Sequence, residues 1–446
     1  MNLKFVIVFI ISFIVMFVTL SFVIFHEESK HIIAMVIHID DEFITVRDQW
    51  SEIYIFNNEK FDVENGDVVI IEYDGVLNHD IAEQDVSILN CDVSFSVNDM
   101  NVDMLEWFDH EIFAQYYQKA YDTLKTLSLD EKIGQLLLVR YPEEGAEDIL
   151  QQYRFGGYLL FEKDFKGKNQ EEVQMMIGHL QDVSNIPLLI AVDEEGGKVV
   201  RVSSNSNLAD SRFLSSQELY QSGGFDAIHD DTIEKSKLLS NLGINLNLAP
   251  VVDVSTNSSD YMYARSFGQD AEFTSLYSKT VIEASRGGSV SYTLKHFPGY
   301  GNNIDTHKSS SLDDRSFADI VQNDLSPFEA GIQAGAEAVM VSHNVVSDVD
   351  PDHPASLSAS IHNLLRNRLS FSGIIITDDL DMGAVSSIKN SVVQSLLAGN
   401  DIIITGDYEN SFEEIKSSID DGLISESLID WISLRVIAWK YYKGMF

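Results

Sequence analysis

Between positions 295 and 310 the chain reads KHFPGYGNNIDTHKSS, which gathers two histidines, two lysines and an aspartate on one stretch. The Pro-Gly-Tyr-Gly-Asn-Asn run within it is too irregular for a helix and too rich in glycine for a strand. Asp305 and His307 stand two apart, close enough for the carboxylate to hold the imidazole in one tautomer. A histidine so held gives and takes a proton near neutral pH. The plain alternative is a pair of solvated residues on a turn. It is weakened by Lys295 and His296, which close the apolar run VSYTL and point toward the same place. A second candidate is Asp378 in GIIITDDLDMGA, where a strand end would aim a carboxylate at a ligand. Its competing reading is a helix N-cap, and Asp379 and Asp381 read as capping or solvated residues. DEEGGKVVR supplies Asp193 and Arg201, and YARSFG supplies Arg265. Two arginines, a lysine and several carboxylates in one mouth would orient a hydroxyl-rich ligand through charge-assisted hydrogen bonds. No metal-ligand spacing such as HExxH occurs, Cys91 is the only cysteine, and neither a metal nor a cofactor is expected.

These residues need a frame. From Ser128 the chain opens a capping box, Ser128 with Glu131, and then alternates apolar strands with helices. Seven strand-like runs are legible: GGYLLF, IPLLIAVDEEGG, INLNLAPVVDV, VSYTLKHFPG, AEAVMVSHN, SGIIITDDL and AGNDIIITGD. Buried strands with helical crossovers imply a parallel sheet. Polar residues follow nearly every run: Asp193, Asp253, Lys295 with His296, His343 with Asn344, Asp378 and Asp407. They converge only if the strands surround one axis, so the expectation is an α/β TIM-type (β/α)8-like barrel with its site at the carboxyl ends of the strands.

Upstream, residues 30–99 are short, alternating and β-branched, as in HIIAMVIHI and DVVIIEY, with turn signals at Asn65-Gly66 and Asp74-Gly75. Five or six such strands suggest a small all-β domain, a barrel or sandwich. Residues 100–126 read as a helical linker, and 127–446 as the barrel. Residues 5–25 carry no charge. At 1.5 Å per residue they reach about 31 Å, enough to cross a bilayer as a transmembrane helix. No small-residue cleavage pattern follows, so residues 1–29 read as an uncleaved signal anchor. Lys4 before the span and HEES after it place the bulk outside the cytoplasm, at a single-pass cell-membrane position. The alternative is secretion after cleavage. The net charge of −40, from 70 acidic against 30 basic residues, argues against nucleic acid as a partner.

The segment from about Leu127 to Phe446 resembles glycoside hydrolase family 3, closest to its bacterial β-N-acetylglucosaminidase (β-hexosaminidase) branch. The resemblance rests on EKIGQLLLV, DEEGGKVVR, GINLNLAPVVDV, ARSFG, KHFPGYGNNIDTH, PASLSASIHNLLRNRL and GIIITDDLDMGA, in family order. It implies Asp378 as nucleophile, and Asp305 with His307 as a dyad in which histidine is the acid/base. It also implies Asp193, Arg201, Arg265, Lys295 and His296 as sugar-binding residues. The implied activity is retaining, exo-acting hydrolysis of terminal β-linked N-acetylglucosamine from cell-wall fragments or related amino sugars. Three positions depart from the family pattern. Tyr300 replaces the usual histidine of a PGHG turn, Asn302 a frequent acidic residue, and Glu194 the more usual glutamine after Asp193. None removes an assigned catalytic group.

Two other readings share the barrel. One is a glycosidase or glycoside phosphorylase for another β-linked sugar, since a neutral imidazole does not repel an incoming anion. The other is a non-catalytic cell-wall-binding protein, against which the intact Asp378, Asp305 and His307 argue.

Overall fold

The computed structural model describes residues 112–301 and 311–446, and residues 30–95 apart from 41, 49–51, 59, 60, 62, 66, 76, 79–81, 83 and 85. The expected anchor, the first part of the linker, Asn302, and the pair Asp305 and His307 lie outside the described residues. No helix among the described residues is long and apolar enough to cross a membrane.

The barrel grows from eight parallel strands: β6 (Leu137–Arg140), β7 (Gly157–Leu160), β8 (Leu189–Val192), β9 (Leu246–Asn247), β10 (Ser291–Phe297), β12 (Ala338–Val341), β14 (Ile374–Thr377) and β15 (Ile403–Thr405). Their order around the sheet is β14-β12-β10-β9-β8-β7-β6-β15. A parallel bridge between Ile376 and Ile402 brings the two outer strands together and closes the ring. The strand missing from the sequence reading is β6. Its LLVR follows directly on the helix Leu129–Gln135, so helix and strand read as one apolar run. The capping box that opens this helix is present, with Ser128 Oγ accepting from Glu131 N–H and the Glu131 carboxylate accepting from Ser128 N–H. Between β10 and β14, two short strands, β11 (Ser311–Asp313) and β13 (Asn344–Val346), pair in parallel above the barrel. The last helix, Glu426–Tyr442, is buried along most of its length.

The N-terminal strands form a single five-stranded antiparallel sheet, not a closed barrel or sandwich. It consists of β1 (Lys30–Ile39), β2 (Phe43–Asp48), β3 (Ile53–Asn57), β4 (Val68–Asp74) and β5 (Ser87–Phe95), in the order β3-β2-β1-β4-β5. Alternation along β1 sends Ala34 and Val36 into a small core with Val46, Phe56 and Ile71. The intervening Met35 and Ile37, with Ile53, pack into the barrel's own core. The barrel therefore supplies the cover that a second sheet would give. Polar contacts seal the seam. Ile53 N–H donates to Asn363 Oδ1 (2.8 Å), Asn363 Nδ2 donates back to Ile53 O (2.6 Å), and Ala82 N–H donates to Ser360 Oγ (3.0 Å). Beneath the barrel, the buried Asp401 carboxylate meets Arg435 (2.9 Å), Arg366 (2.9 Å) and Arg47 of β2 (3.8 Å). Burial alone would raise its pKa, but the three guanidinium groups pull it down to about 2.

Candidate active site

A cavity of about 690 Å³ opens at the carboxyl ends of the barrel strands. Asp193, Arg201, Arg265, Lys295, His296 and Asp378, all the described candidates, line it. Four of the positions arise where an apolar strand buried on both faces comes to its carboxyl end, and loops bring Arg201 and Arg265 over the same mouth. Asp193 follows β8, Lys295 and His296 end β10, and Asp378 follows β14. Two glycines let the loops fold this tightly. Gly196 has φ 99°, and a Cβ there would lie 2.2 Å from Leu214 O; Gly299 has φ 118°, and its Cβ would meet Asp324 Oδ1 at 2.5 Å.

Lys295 Nζ sits between Asp193 Oδ1 (2.7 Å) and Glu195 Oε1 (2.7 Å). Glu195 also accepts both arms of Arg265, from Nε at 3.0 Å and Nη2 at 2.6 Å. Burial would raise the Glu195 carboxyl, but Arg265 and Lys295 outweigh it and hold it below the usual carboxylate range. Burial works against the Lys295 charge as well, yet Asp193 and Glu195 raise its pKa above the ordinary lysine value. Both cations are thus fixed in charge and in place. Glu195 went unassigned in the sequence reading, although DEEGG places it next to two residues that were singled out.

His296 donates Nδ1–H to Asp253 Oδ2 (2.8 Å), while Asp253 Oδ1 accepts the Tyr300 N–H (2.8 Å). Its Nε2 lies 3.5 Å from Arg265 Nη2. Asp253 is buried behind His296, where it orients the ring.

Asp378 accepts the Asp379 N–H at Oδ1 (2.8 Å), and its own N–H donates to Val341 O (2.9 Å). Burial pushes its pKa up, but His343, His296, the Asp379 N–H and Lys295 together bring it below the usual value. It is therefore an ionised carboxylate at neutral pH. Its neighbour behaves oppositely: burial outweighs the ion pair with Arg140 and raises Asp379 to about 6. His343 holds the turn from behind, donating from Nε2 to Asp379 O (3.0 Å) with Nδ1 2.7 Å from Ser356 Oγ. Arg140 ends β6, so it was hidden with the strand itself. Asp407 stands at the N-cap position of the helix Tyr408–Asp420, where its carboxylate accepts from Asn410 Nδ2 rather than from the helix backbone, and it does not line the cavity.

Glu194, fully buried, faces away from the cavity. One oxygen accepts the N–H groups of Arg201 (2.7 Å) and Val202 (2.7 Å), and the other accepts the hydroxyl and the N–H of Ser203. Its role is to fasten the loop that carries Arg201. The guanidinium above lies over the Phe161 ring, 5.6 Å from its centroid, with Nη2 3.5 Å from Asp193 Oδ2, and its Nε has no acceptor among the described residues.

The segment bearing Asp305 and His307 leaves from Gly301, one residue after the Asp253-bound Tyr300, and re-enters at β11. Both attachment points lie on the cavity's side of the barrel. Among the described residues, no three histidine, cysteine or carboxylate side chains are grouped to hold a metal ion.

Residues 128–438 match the family described as "Glycosyl hydrolase family 3 N terminal domain". A β-hexosaminidase of Xanthomonas euvesicatoria pv. vesicatoria is 30% identical over 306 residues, which cover 66% of this chain and 88% of that protein. A β-hexosaminidase of Xylella fastidiosa is 31% identical over 302 residues, with the same coverage. Among solved structures, a family 3 β-N-acetylglucosaminidase from Paenibacillus sp. superposes with a TM-score of 0.67 at 28% identity, covering 72% of this chain and 63% of that one. A β-N-acetylhexosaminidase from Beutenbergia cavernae gives 0.61 at 27% identity, with coverage of 71% and 99%. The chain belongs to glycosyl hydrolase family 3, and is a glycoside hydrolase of its β-hexosaminidase branch.

Proposed function

We propose that the protein removes terminal β-linked N-acetylglucosamine with retention of configuration, from cell-wall fragments or related amino sugars. The observation that carries this reading is the ionised Asp378 carboxylate, held at a strand end in the same cavity as the Lys295, Arg265 and Arg201 cations. In the first step Asp378 forms a bond to the anomeric carbon while the glycosidic bond breaks, and the His307 imidazolium gives its proton to the departing oxygen. In the second, the neutral imidazole takes a proton from water, whose oxygen attacks the anomeric carbon and releases Asp378. Asp305 keeps the imidazole in the required tautomer. Asp193, Arg201, Arg265, Lys295 and His296 grip the sugar hydroxyls by charge-assisted hydrogen bonds. The sheet of β1–β5 and the barrel are read as two domains, tethered outside the cytoplasm by residues 1–29.

A 5-fluoro N-acetylglucosaminyl fluoride tests the mechanism. It should label the wild type at Asp378, as seen by peptide mass spectrometry, and Asp378→Ala should fold normally but neither turn over nor label. Labelling at Asp379 would mean that the wrong member of the pair has been assigned.

A further inference from the structure

The turn after β14 carries three carboxylates within four residues, Asp378, Asp379 and Asp381. Arg140, two strands away at the end of β6, meets the last two. Its Nε donates to Asp379 Oδ2, and its Nη1 lies 3.6 Å from Asp381 Oδ2. Asp379 Oδ1 accepts the Asp381 N–H (3.0 Å), and Asp381 Oδ2 accepts the N–H of Gly406, just past β15 (2.9 Å). The seat of the guanidinium has no slack: a Cβ on Gly406 would lie 2.5 Å from Asp381 Oδ2 and 3.0 Å from Arg140 Cδ. One cation thus ties the ends of β6 and β15 to the turn that bears Asp378.

Asp379 is where this tie reaches the chemistry. Its N–H donates to Asp378 Oδ1, its C=O accepts from His343 and from the Met382 N–H, and its carboxylate is gripped by Arg140. A carboxylate attacks along one direction, so a donor that drifts lets it rotate out of line and costs rate. With Arg140 gone, the buried Asp379 carboxylate would face Asp378 and Asp381 without its partner cation. It would then take up a proton or turn out toward water. Either change reaches Asp378 through the peptide that the two residues share. Arg140 also lines the cavity, so direct contact with the sugar is the rival role. Against that role, its Nε and Nη1 are already turned to the two carboxylates.

We propose that Arg140 is a positioning residue for the nucleophile, acting through Asp379 to fix the peptide whose N–H orients the Asp378 carboxylate. The inference rests on Asp378 as the nucleophile, as given under Proposed function, and adds to that mechanism a residue that touches neither the substrate nor Asp378.

The test is a double-mutant cycle of Arg140→Met and Asp379→Ala, read on a nitrophenyl N-acetyl-β-glucosaminide. Rates are expressed per molecule labelled at saturation by the 5-fluoro sugar, so that unfolded chains do not count. Each single variant should lower kcat by about tenfold while KM stays within about twofold. The double variant should lose no more than the worse single, because both changes break one link. Arg140→Lys, which keeps a cation within reach of Asp379, should recover most of kcat. Losses that multiply in the double variant, or a rise in KM as large as the fall in kcat, would mean that Arg140 meets the substrate itself. Either result would overturn the proposal, as would an unchanged kcat in Arg140→Met or no rescue by lysine. None of these touches the assignment of Asp378. Labelling of the wild type at another residue would overturn that assignment, and the positioning role with it.

Discussion

At the scale of single residues, the site fixes Lys295 and Arg265 by ion pairs and leaves one cation, Arg201, with donor capacity to spare. The Arg201 backbone and the two residues after it are tied to Glu194, whereas its guanidinium keeps an Nε without an acceptor among the described residues. Glu194→Met should therefore raise KM for a nitrophenyl N-acetyl-β-glucosaminide by about tenfold, as expected when buried donors lose their acceptor. The value of kcat should change far less. Glu194→Gln should recover most of the loss, since one amide oxygen can still serve both Arg201 N–H and Val202 N–H. A fall in kcat matching the rise in KM, or no rescue by glutamine, would mean that Glu194 acts on more than Arg201. The sequence showed Glu194 only as a departure from a family pattern. Its four donors lie seven to nine positions downstream in a loop, and nothing in their residue types announces a carboxylate clamp. Asp193, Arg201, Lys295, His296 and Asp378 were legible because each closes an apolar strand or an identifiable motif.

Elements carry a different record. Strands flanked by clear turns were legible, and so was the helix opened by the Ser128 capping box. β6 was not, because four strand residues that follow a helix without a break extend its apolar run. The helix Glu426–Tyr442 hides a further feature. Lys440 is fully buried within it and donates only to neutral acceptors, Gln135 Oε1 (2.6 Å) and Gly156 O (3.0 Å). Burial lowers its pKa from 10.5 to about 7. The unfolded chain thus binds one more proton than the folded chain between about pH 7 and 10.5, so this residue costs most stability below pH 7 and progressively less as pH rises. Lys440→Met should then be more stable than the wild type at pH 6, with an advantage that shrinks by pH 9. Gly156 O keeps a partner in the variant, the Leu189 N–H at 2.9 Å. Urea denaturation of both proteins at the two pH values measures the difference. An advantage independent of pH would show that Lys440 keeps its proton in the fold, so that its pKa is not lowered by burial.

At the scale of the whole molecule, the alternating strands of residues 30–95 were legible as a sheet, but not its partner. Alternation shows that both faces of β1 carry apolar residues, and it is silent on what covers each. A sandwich and a sheet docked on a barrel share that pattern. Arg47, Arg366, Asp401 and Arg435 are likewise too far apart in the chain for sequence spacing to connect them. This docking has a measurable consequence. Asp401 precedes β15, at the end of the barrel opposite the cavity, and no residue of the five-stranded sheet lines the cavity. A chain beginning at residue 100 would uncover the barrel surface beneath Met35, Ile37 and Ile53, and would remove Arg47 from the Asp401 cluster. A chain beginning at Lys30 keeps both. The shorter chain should melt lower by on the order of 5 °C or more, since a few kcal/mol of lost packing shifts a protein of this size by several degrees. Its folded fraction, counted by active-site titration, should show the same KM as the longer chain. Fractionation of cells that express each form adds the tether to the same experiment. The full chain should sediment with membranes, and the chain from Lys30 should not. Equal melting temperatures for the two shortened chains would mean that the sheet is a passive appendage. A changed KM at equal stability would mean instead that the sheet reaches the site through the barrel.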